Sequence, residues 1–401
     1  MAEIVVIGAG QAGSSAVFKL RALGHTGRIT LIGDEAFPPY QRPPLSKAYL
    51  LGDMTRERLF LMPEPSYQEH DIRLKLGAPV TAINPDTKVV SVGDETIKYD
   101  ELLLATGSSP IQLPAAIGGE LGGVYSIRTL ADIDAMASEF SEGRNVLIVG
   151  GGYIGLEAAA VASSKGLKVT VVEMADRILQ RVAAPETSDY FRTLHQNHGV
   201  DIREGIGLSR LSGTERVTHA ELSDGQVLDV DFVLVGIGIR PNTDIAGTAG
   251  VAVQNGIETN TFGQTTVPNI WAAGDCASFP FAGQMIRLES VPNAIDQAEI
   301  VAGNILGAKT EYIAKPWFWS DQYDVKLQIA GLNTGYDNVV ARPSDRPGSV
   351  SHWYYGGDTL LAVDAMNAPR EFMIGRRLIE AGKSPIATAV GDLSTDLKSL
   401  M

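Results

Sequence analysis

Cysteine is almost absent from this chain, because Cys276 is the only one among 401 residues. A single thiol excludes an intrachain disulfide, a redox-active dithiol and an iron–sulfur cluster held by four cysteines. The six histidines show no metal-like pattern. His195 and His198 have helical i, i+3 spacing, but we interpret them as surface histidines near a helix end rather than as a metal pair. We therefore expect no metal centre, so single-electron chemistry requires an organic cofactor and a separate protein carrier.

Positive charge and long apolar runs are also scarce. The chain has 33 Lys and Arg against 47 Asp and Glu, and the net charge of −14 argues against nucleic acid as a partner. The longest apolar stretch, residues 146–156, is short and rich in glycine, so we expect no membrane span. The N-terminus shows no basic region or cleavage site of a signal peptide, and we predict a cytoplasmic location.

Glycine is abundant, with 43 residues, and two glycine-rich segments share one pattern. Each segment, GAGQAG (8–13) or GGGYIG (150–155), follows an apolar run and opens a predicted helix that stops at a glycine, Gly24 or Gly166. A second predicted strand that ends in acidic residues follows each helix, at residues 28–35 and 168–173. Two complete copies of this strand–helix–strand unit strongly indicate two bound dinucleotides. A chain that binds two dinucleotides is expected to pass electrons between them.

Each repeated position has a physical role. The first glycine permits the tight turn, the second lets the backbone approach the pyrophosphate, and the third lets helix and strand pack closely. The free N–H groups at the positive end of the helix then face the phosphates. An acidic residue after the second strand accepts hydrogen bonds from the ribose. These residues are Gly8, Gly10 and Gly13 with Asp34 or Glu35 in the first unit, and Gly150, Gly152, Gly155 and Glu173 in the second.

Glu173 predicts the coenzyme. A carboxylate pairs with the 2′-hydroxyl of NAD and repels the 2′-phosphate of NADP, so we expect NADH. Arg177 and Arg181 lie further along the chain and could in principle hold a phosphate, which leaves NADP as the alternative.

The order of the segments predicts the domains. The strand at 269–273, followed by Gly274 and Asp275, looks like a return to the first nucleotide domain. From Pro316 onward the character changes, with an aromatic cluster, two strand-like runs and a helix-like segment. The predicted class is α/β, with two Rossmann-like, glutathione-reductase-like domains and a small C-terminal α+β domain. The predicted boundaries are 1–112 with 240–315 for the first domain, 113–239 for the inserted second domain and 316–401 for the third.

Three further positions have both a functional and an ordinary interpretation. Two prolines stiffen the segment 42–47, which either directs Arg42 and Lys47 toward a ligand or forms a solvated surface turn. Asp275 follows a strand and either accepts hydrogen bonds from ligand hydroxyls or caps a simple turn. Glu157 follows the second glycine motif, where the helix dipole alone would favour a carboxylate.

The complete set of motifs resembles the FAD-dependent NADH:ferredoxin reductases that serve bacterial oxygenases. The resemblance covers essentially the whole chain and is highly specific. Besides GAGQAG, the matching motifs are RPPLSK (42–47), ATG (105–107), GGGYIGLE (150–157), GIGIRPN (236–242), AAGDCA (272–277), ESVPNAIDQA (289–298) and PWFWSDQ (316–322).

This resemblance implies FAD in the first unit, NADH in the second, a [2Fe–2S] ferredoxin as acceptor and, indirectly, an oxygenase such as a cytochrome P450 or a dioxygenase. The implied FAD-binding residues are Gly8, Gly10, Ala12, Gly13, Asp34, Glu35, Arg42, Lys47, Val80, Ala105, Thr106, Gly107, Arg128, Asp275, Val291 and Trp319. The implied NAD-binding residues are Gly150, Gly152, Tyr153, Ile154, Gly155, Glu157, Glu173, Gly236, Ile237 and Gly238.

The resemblance also assigns the chemistry. It places Lys47 and Glu157 beside the flavin, where the nicotinamide arrives, and a buried pair of this kind is seldom kept for stability alone. Hydride transfer requires an approach of about 3–3.5 Å between the reacting atoms. Trp319 is either a core aromatic or a contact near the flavin and the docking face. For ferredoxin, we expect a local basic patch beside Trp319, with Lys326, Arg342, Arg376 and Arg377 as its candidates.

Other activities on the same fold are less compatible with the chain. A disulfide reductase or NADH oxidase needs a cysteine near the flavin, and the segment 38–47 has none. A monodehydroascorbate-reductase-like enzyme needs no thiol and stays an alternative. A non-enzymatic flavoprotein resembling apoptosis-inducing factor is a further alternative, which the acidic charge and the lack of a targeting segment count against.

Overall fold

A computed structural model describes residues 2–344 and 346–401. Its strands, β1 to β26 in chain order, are Ile4–Ile7, Ile29–Ile32, Ile72–Lys75, Val80–Asn84, Val89–Val92, Glu95–Lys98, Glu101–Leu104, Ser108–Pro110, Val124–Ser126, Asn145–Val149, Lys168–Glu173, Asp201–Glu204, Leu208–Gly213, Val217–Leu222, Val227–Asp229, Phe232–Val235, Ile239–Pro241, Ile257–Glu258, Ile270–Ala272, Ala277–Phe281, Gln284–Ile286, Trp317–Gln322, Val325–Gly331, Asn338–Pro343, Val350–Gly356 and Thr359–Met366.

The α-helices, α1 to α10 in chain order, are Gln11–Ala22, Ala48–Leu51, Glu64–Glu69, Leu130–Met136, Tyr153–Ser164, Pro185–Asn197, Asp244–Thr248, Val291–Ile305, Pro369–Glu380 and Ala387–Gly391. Short 3₁₀ helices span Pro43–Ser46, Arg56–Leu59, Ala115–Ile117, Ala137–Glu139 and Leu397–Leu400. Within the described residues, no helix is long and apolar enough to cross a membrane.

The chain divides into two compact units, each built from several segments. Unit 1 comprises Met1–Arg42, Thr55–Ser109 and Ile239–Pro316. Unit 2 comprises Pro43–Met54, Pro110–Gly238 and Trp317–Met401. The three-domain boundaries expected from the sequence stay a prediction.

Unit 1 is organised around a parallel sheet of strand order β19-β7-β1-β2-β3. Its central strands β1 and β2 are short and fully buried, as expected where both faces of a sheet are covered. Ile4 and Val6 point to one face, where α1 and α8 pack, whereas Val5 and Ile7 point to the other. The antiparallel sheet β4-β5-β6 covers that second face, since Ile83, Val90 and Ile97 belong to the same cluster as Val5.

Unit 2 contains a second parallel sheet, of order β12-β11-β10-β16-β9. It repeats the strand–helix–strand arrangement of unit 1, with β10, α5 and β11 in the places of β1, α1 and β2. The two glycine motifs therefore occupy equivalent turns, as the repeat predicts. The helices end at Ala22 and Ser164, two residues before the glycines expected to stop them.

The C-terminal part of unit 2 is an antiparallel sheet of order β22-β23-β26-β25-β24. Helix α9 packs on one face, where Phe372 meets Ala330 and Ala365. The other face packs on α5 and α6, because Leu156 and Phe191 share a cluster with Leu327. This sheet thus supports the helix that follows the second glycine motif.

One predicted strand is shorter than expected. We expected the second strand of the first unit to run through Glu35, but β2 ends at Ile32. Its neighbour β1 ends at Ile7 because the chain turns at Gly8. Residues beyond Ile32 therefore have no partner on β1. Asp34 and Glu35 consequently lie in the loop after the strand.

Candidate functional site

The first glycine of each motif is required by its surroundings. Gly8 has φ +112°, and a Cβ atom there would lie 2.0 Å from the Ala105 carbonyl oxygen. Gly150 has φ +109°, and its Cβ atom would lie 2.3 Å from the Gly236 carbonyl oxygen. Any side chain at either position would clash with the backbone that follows the neighbouring strand of the sheet, β7 or β16. The motifs at 105–107 and 236–238 are therefore equivalent partners of the two glycine turns.

The two motif helices begin with open N-termini. The N-cap residue is Gly10 in α1 and Gly152 in α5. Neither N-cap therefore has a side chain that could accept a hydrogen bond from the first N–H groups of its helix. A Cβ atom at Gly10 or Gly152 would meet no atom of the described part of the chain within 4 Å. No acidic residue stands in either first turn. Uncapped N–H groups beside open space fit a pyrophosphate, so these residues fit both dinucleotides.

Other predicted residues at these turns differ in accessibility. Ala12 and Gly13 are buried in α1, where they contribute to close packing. Ile154 and Ile237 are 43% and 39% exposed, so they flank the second turn at the surface. The Tyr153 ring lies against Phe318, with 5.1 Å between centroids, and its hydroxyl is buried. Burial raises the pKa of Tyr153, so its hydroxyl stays protonated inside the protein.

Glu173 lies at the end of β11, as predicted. Its Oε2 accepts the Gly151 N–H at 2.7 Å, and its Oε1 accepts the Ala175 N–H at 2.8 Å. These two backbone donors fix the carboxylate beside the glycine turn. Arg177 donates to Ser188 Oγ at 2.5 Å and to the Ala183 carbonyl at 2.8 Å.

The two acidic candidates in unit 1 have different environments. Glu35 accepts hydrogen bonds from the Tyr40 hydroxyl and from Arg42 Nη2, both at 2.6 Å. The carboxylate of Glu35 is therefore neutralised within the chain. Asp34 is exposed and accepts only the Glu35 N–H, at 3.1 Å, among the bonds described for its side chain. This contrast makes Asp34 the better candidate for a ribose hydroxyl.

The second loop of unit 1 brings several predicted residues together. Asp275 accepts a hydrogen bond from the Ser108 hydroxyl at 2.9 Å. Thr106 donates to the Asn242 carbonyl at 2.6 Å, beside Gly107. Cys276 packs beside this turn as expected, and burial raises the pKa of its thiol. The remaining predicted residues of the FAD set are half-buried: Val80 begins β4, Val291 begins α8 and Arg128 precedes α4.

The half-buried Lys47 and the buried Glu157 form an ion pair in unit 2, with 3.0 Å between Nζ and Oε1. Glu157 is the fifth residue of α5, beyond the first turn in which the helix dipole would favour it. Its carboxylate also accepts hydrogen bonds from the Ser46 and Ser320 hydroxyls, each at 2.7 Å. Burial raises the pKa of Glu157, and Lys47 and the two serines oppose that rise. Asp321 lies 3.6 Å from Lys47 Nζ.

Sequence reasoning missed three residues that connect to this pair. Ser320, Gln322 and His195 are fully buried, and His195 Nε2 lies 2.8 Å from Gln322 Oε1. The interpretation of His195 as a surface histidine was wrong, because the C-terminal sheet covers that side of α6. Burial lowers the pKa of His195 to about 4. Period-two alternation along β22 is the signal that places Ser320 and Gln322 on the opposite face from Trp319.

The proposed docking residues do not all lie at the surface. Arg342 is buried and donates to the backbone carbonyls of Val390, Asp392 and Thr395, so its assignment as a docking residue was wrong. Its guanidinium instead fastens the C-terminal tail onto the sheet.

Arg376 and the tryptophans form a cluster. The Arg376 guanidinium lies 5.3 Å from the Trp317 ring centroid, and Trp317 stacks on Trp319 at 5.5 Å. Arg376 also pairs with Glu380 at 2.7 Å, which offsets its charge. Lys326 and Arg377 are exposed.

Comparison with known proteins identifies the relatives of this chain. The family model described as pyridine nucleotide-disulphide oxidoreductase matches residues 2–298, and the model described as reductase C-terminal matches residues 317–401. Rhodocoxin reductase from Rhodococcus erythropolis is 42% identical over 400 residues, covering 99% of this chain and 93% of that protein. Putidaredoxin reductase from Pseudomonas putida is 40% identical over 407 residues, covering 100% and 96%.

A solved structure gives the same result. The crystal structure of the covalent putidaredoxin reductase–putidaredoxin complex matches with a TM-score of 0.95 and 40% identity, covering 100% of this chain and 98% of that chain. The matches confirm the predicted fold class and the resemblance found from the motifs.

Proposed function

The chain belongs to the pyridine nucleotide-disulphide oxidoreductase family, and we propose that it passes electrons from NADH through FAD to a [2Fe–2S] ferredoxin that serves an oxygenase. The observation that carries this proposal is full-length similarity, at 40% identity or above, to reductases named for the small redox proteins rhodocoxin and putidaredoxin. The family name includes disulphide reductases, but this chain has one cysteine, and Cys276 is buried. It therefore lacks an accessible thiol that could attack a disulfide substrate.

FAD and a nicotinamide dinucleotide are the cofactors of this family, as predicted. When bound, the flavin accepts a hydride from the nicotinamide and returns the two electrons singly. In our proposal, the N-termini of α1 and α5 bind the two pyrophosphates. Asp34 and Asp275 hold hydroxyl groups of FAD, and Glu173 holds the adenosine ribose of NADH.

We further propose that the Lys47–Glu157 pair acts on the hydride step. Three donors surround the carboxylate of Glu157, so the pair has a defined geometry that can orient Lys47. A buried pair costs desolvation energy and is weak support for stability, which favours a functional role. The residues would then orient the reacting groups and exclude water.

The decisive experiment measures NADH consumption with three acceptors: a panel of [2Fe–2S] ferredoxins, the ascorbate radical, and no added acceptor. We expect fast reduction of at least one ferredoxin and slow turnover without an acceptor. Fast turnover of the ascorbate radical alone would support the monodehydroascorbate-reductase-like alternative. Tight NADH binding with no turnover would support the signalling flavoprotein instead. A cytoplasmic location is part of the proposal, and cell fractionation tests it.

A further inference from the structure

A chain of side-chain hydrogen bonds leads from Glu157 to His195 within unit 2. Ser320 Oγ lies 2.7 Å from Glu157 Oε1, and Gln322 Nε2 lies 3.2 Å from Ser320 Oγ. His195 Nε2 lies 2.8 Å from Gln322 Oε1, and the Tyr323 hydroxyl lies 3.3 Å from His195 Nδ1. Ser320, Gln322 and His195 are each 0% exposed. Water therefore cannot replace any bond in the middle of the chain.

The ionised carboxylate sets the direction of every bond in this chain. An ionised Glu157 only accepts, so Ser320 must donate its one proton to it. The Ser320 oxygen is then left to accept, and the Gln322 amide nitrogen must donate to it. The amide oxygen of Gln322 consequently faces His195, which must carry its proton on Nε2. His195 Nδ1 is then an acceptor for the Tyr323 hydroxyl.

His195 suits this position only as the neutral imidazole. A charged imidazolium would carry a proton on both nitrogens and lose Nδ1 as an acceptor. Burial lowers the pKa of His195 to about 4, which keeps the ring neutral at physiological pH. The ionisable neighbours of His195 are Tyr323, whose ring centroid is 5.1 Å away, and His198, which stacks on Tyr323 at 3.7 Å.

The Glu157 end of this series of hydrogen bonds faces two charged groups. Lys47 contacts Glu157 directly, and Asp321 lies near Lys47 Nζ on the same strand as Ser320. Asp321 competes with Glu157 for the lysine. A fixed, ionised Glu157 is therefore needed to hold Lys47 in one position.

We propose that His195 is a positioning residue for Glu157: acting through Gln322 and Ser320, it keeps the carboxylate ionised and turned toward Lys47. Aligned hydrogen bonds in a buried chain polarise one another, so a donor at its far end strengthens the bond at the carboxylate. The inference rests on the proposed function, because it assumes that the Lys47–Glu157 pair serves the hydride step.

The first test is the pH profile of flavin reduction by NADH, measured by stopped flow. The ionised Glu157 is the active form, so the rate falls as the pH drops through its pKa. Ser320→Ala should move the midpoint of this fall up by ~1 pH unit, since a hydrogen bond to a charged group is worth about 1.5 kcal/mol or more. His195→Phe keeps a ring but removes the donor, and it should move the midpoint the same way by about a tenth to a third as much, because one hydrogen bond strengthens the next by roughly 10–30%.

The double variant separates positioning from mere structural support. Ser320→Ala already breaks the series of hydrogen bonds between His195 and Glu157. Adding His195→Phe should therefore cause no further shift of the midpoint. His352→Phe is the matched control, because His352 is also buried, with its pKa lowered to about 4, but bonds Thr187 instead. Additive shifts, or an equal shift in His352→Phe, would overturn the proposal.

The second test needs no variant to remain active. Nuclear magnetic resonance of ¹⁵N-histidine-labelled holoenzyme reports the tautomer of each ring, and the signal missing from His195→Phe identifies His195. We expect a neutral ring protonated on Nε2 from about pH 6 to about pH 8. A ring protonated on Nδ1, or a charged ring, would overturn the inference. Failure of the proposed function would appear separately, as the absence of ferredoxin reduction.

Discussion

Lys47 and Glu157 come from segments more than a hundred residues apart and meet in a buried ion pair with 3.0 Å between Nζ and Oε1. The Glu157 side chain is only 6% exposed, and that of Lys47 only 17%. Two serine hydroxyls complete the set of donors around the carboxylate. This geometry makes the pair the first target for mutation.

We expect Lys47→Met to retain FAD but to slow flavin reduction by NADH roughly 10- to 100-fold. The reason is that without the ammonium group the reacting groups are no longer held in position. Without Lys47 the pKa of Glu157 should rise further, so the carboxyl takes up a proton and the fold survives. Stopped-flow reduction and the absorbance of bound FAD measure the two effects. Lys168→Met, at an exposed lysine, is the control. Normal reduction with loss of FAD would make Lys47 a cofactor anchor only.

The buried His195 should make stability depend on pH. Its pKa is about 4 in the folded protein and 6.5 as the unperturbed value, so the unfolded chain binds more protons between these values. Stability contributed by the neutral ring is present above about pH 6.5 and is lost as the pH falls toward 4. The loss amounts to at most ~3 kcal/mol.

Replacing this histidine isolates its effect. His195→Gln should lose less unfolding free energy than the wild type between about pH 7 and pH 4 in urea titrations. Asp364 acts with the opposite sign, because burial raises its pKa to about 6, but it is present in both proteins and cancels. His198→Gln, at an exposed neighbour, should behave as the wild type. Identical acid sensitivity of His195→Gln and the wild type would contradict the prediction.

Glu173 should enforce the preference for NADH. Two backbone N–H groups fix its carboxylate beside the glycine turn, where it would repel a 2′-phosphate. Glu173→Ser or Glu173→Arg should narrow the NADH/NADPH ratio of kcat/KM by an order of magnitude or more, equivalent to about 1.4 kcal/mol. Glu215→Ser, at an exposed glutamate, should leave the ratio unchanged. An unaltered ratio in the Glu173 variants would show that other residues determine the preference for NADH over NADPH.

Ferredoxin docking should depend on exposed cations of the C-terminal sheet and helix α9. Lys326→Glu and Arg377→Glu should raise the KM for ferredoxin about 3- to 10-fold and leave the KM for NADH unchanged. Rising salt should slow ferredoxin reduction, since surface attraction is screened within about 8 Å at physiological ionic strength. Arg376→Glu should act less specifically, because Arg376 is paired with Glu380 and packs on Trp317. If neither salt nor the two substitutions changed the rate of ferredoxin reduction, this surface would be excluded as the docking site.

Local sequence pattern was sufficient for the two nucleotide units. The sequence signals for the glycine turns, the apolar strands and the helix ends of each unit lie within about 30 positions of one another, and the structure forms these elements at or near the predicted places. Even here the predicted end of β2 at Glu35 was wrong, because a strand ends where its neighbour leaves the sheet.

Contacts between distant segments were not predictable in this way. Arg342 and His195 have residue types that are usually exposed, and we assigned both to the surface. Arg342 is buried because the carbonyls of the C-terminal tail fill its hydrogen-bonding capacity. His195 is buried because Gln322, 127 positions away, satisfies its Nε2.

The sequence by itself determined that two dinucleotide units exist, which residues form their turns, and that no cysteine pair is available for chemistry. Only the tertiary structure decided which polar groups satisfy one another: Glu35 with Arg42, Lys47 with Glu157, and Glu157 with Ser320 and the chain to His195. The reason is physical. Turns and helix starts follow from local backbone geometry, whereas the burial of a polar group is tolerated only when a partner from elsewhere in the chain reaches it.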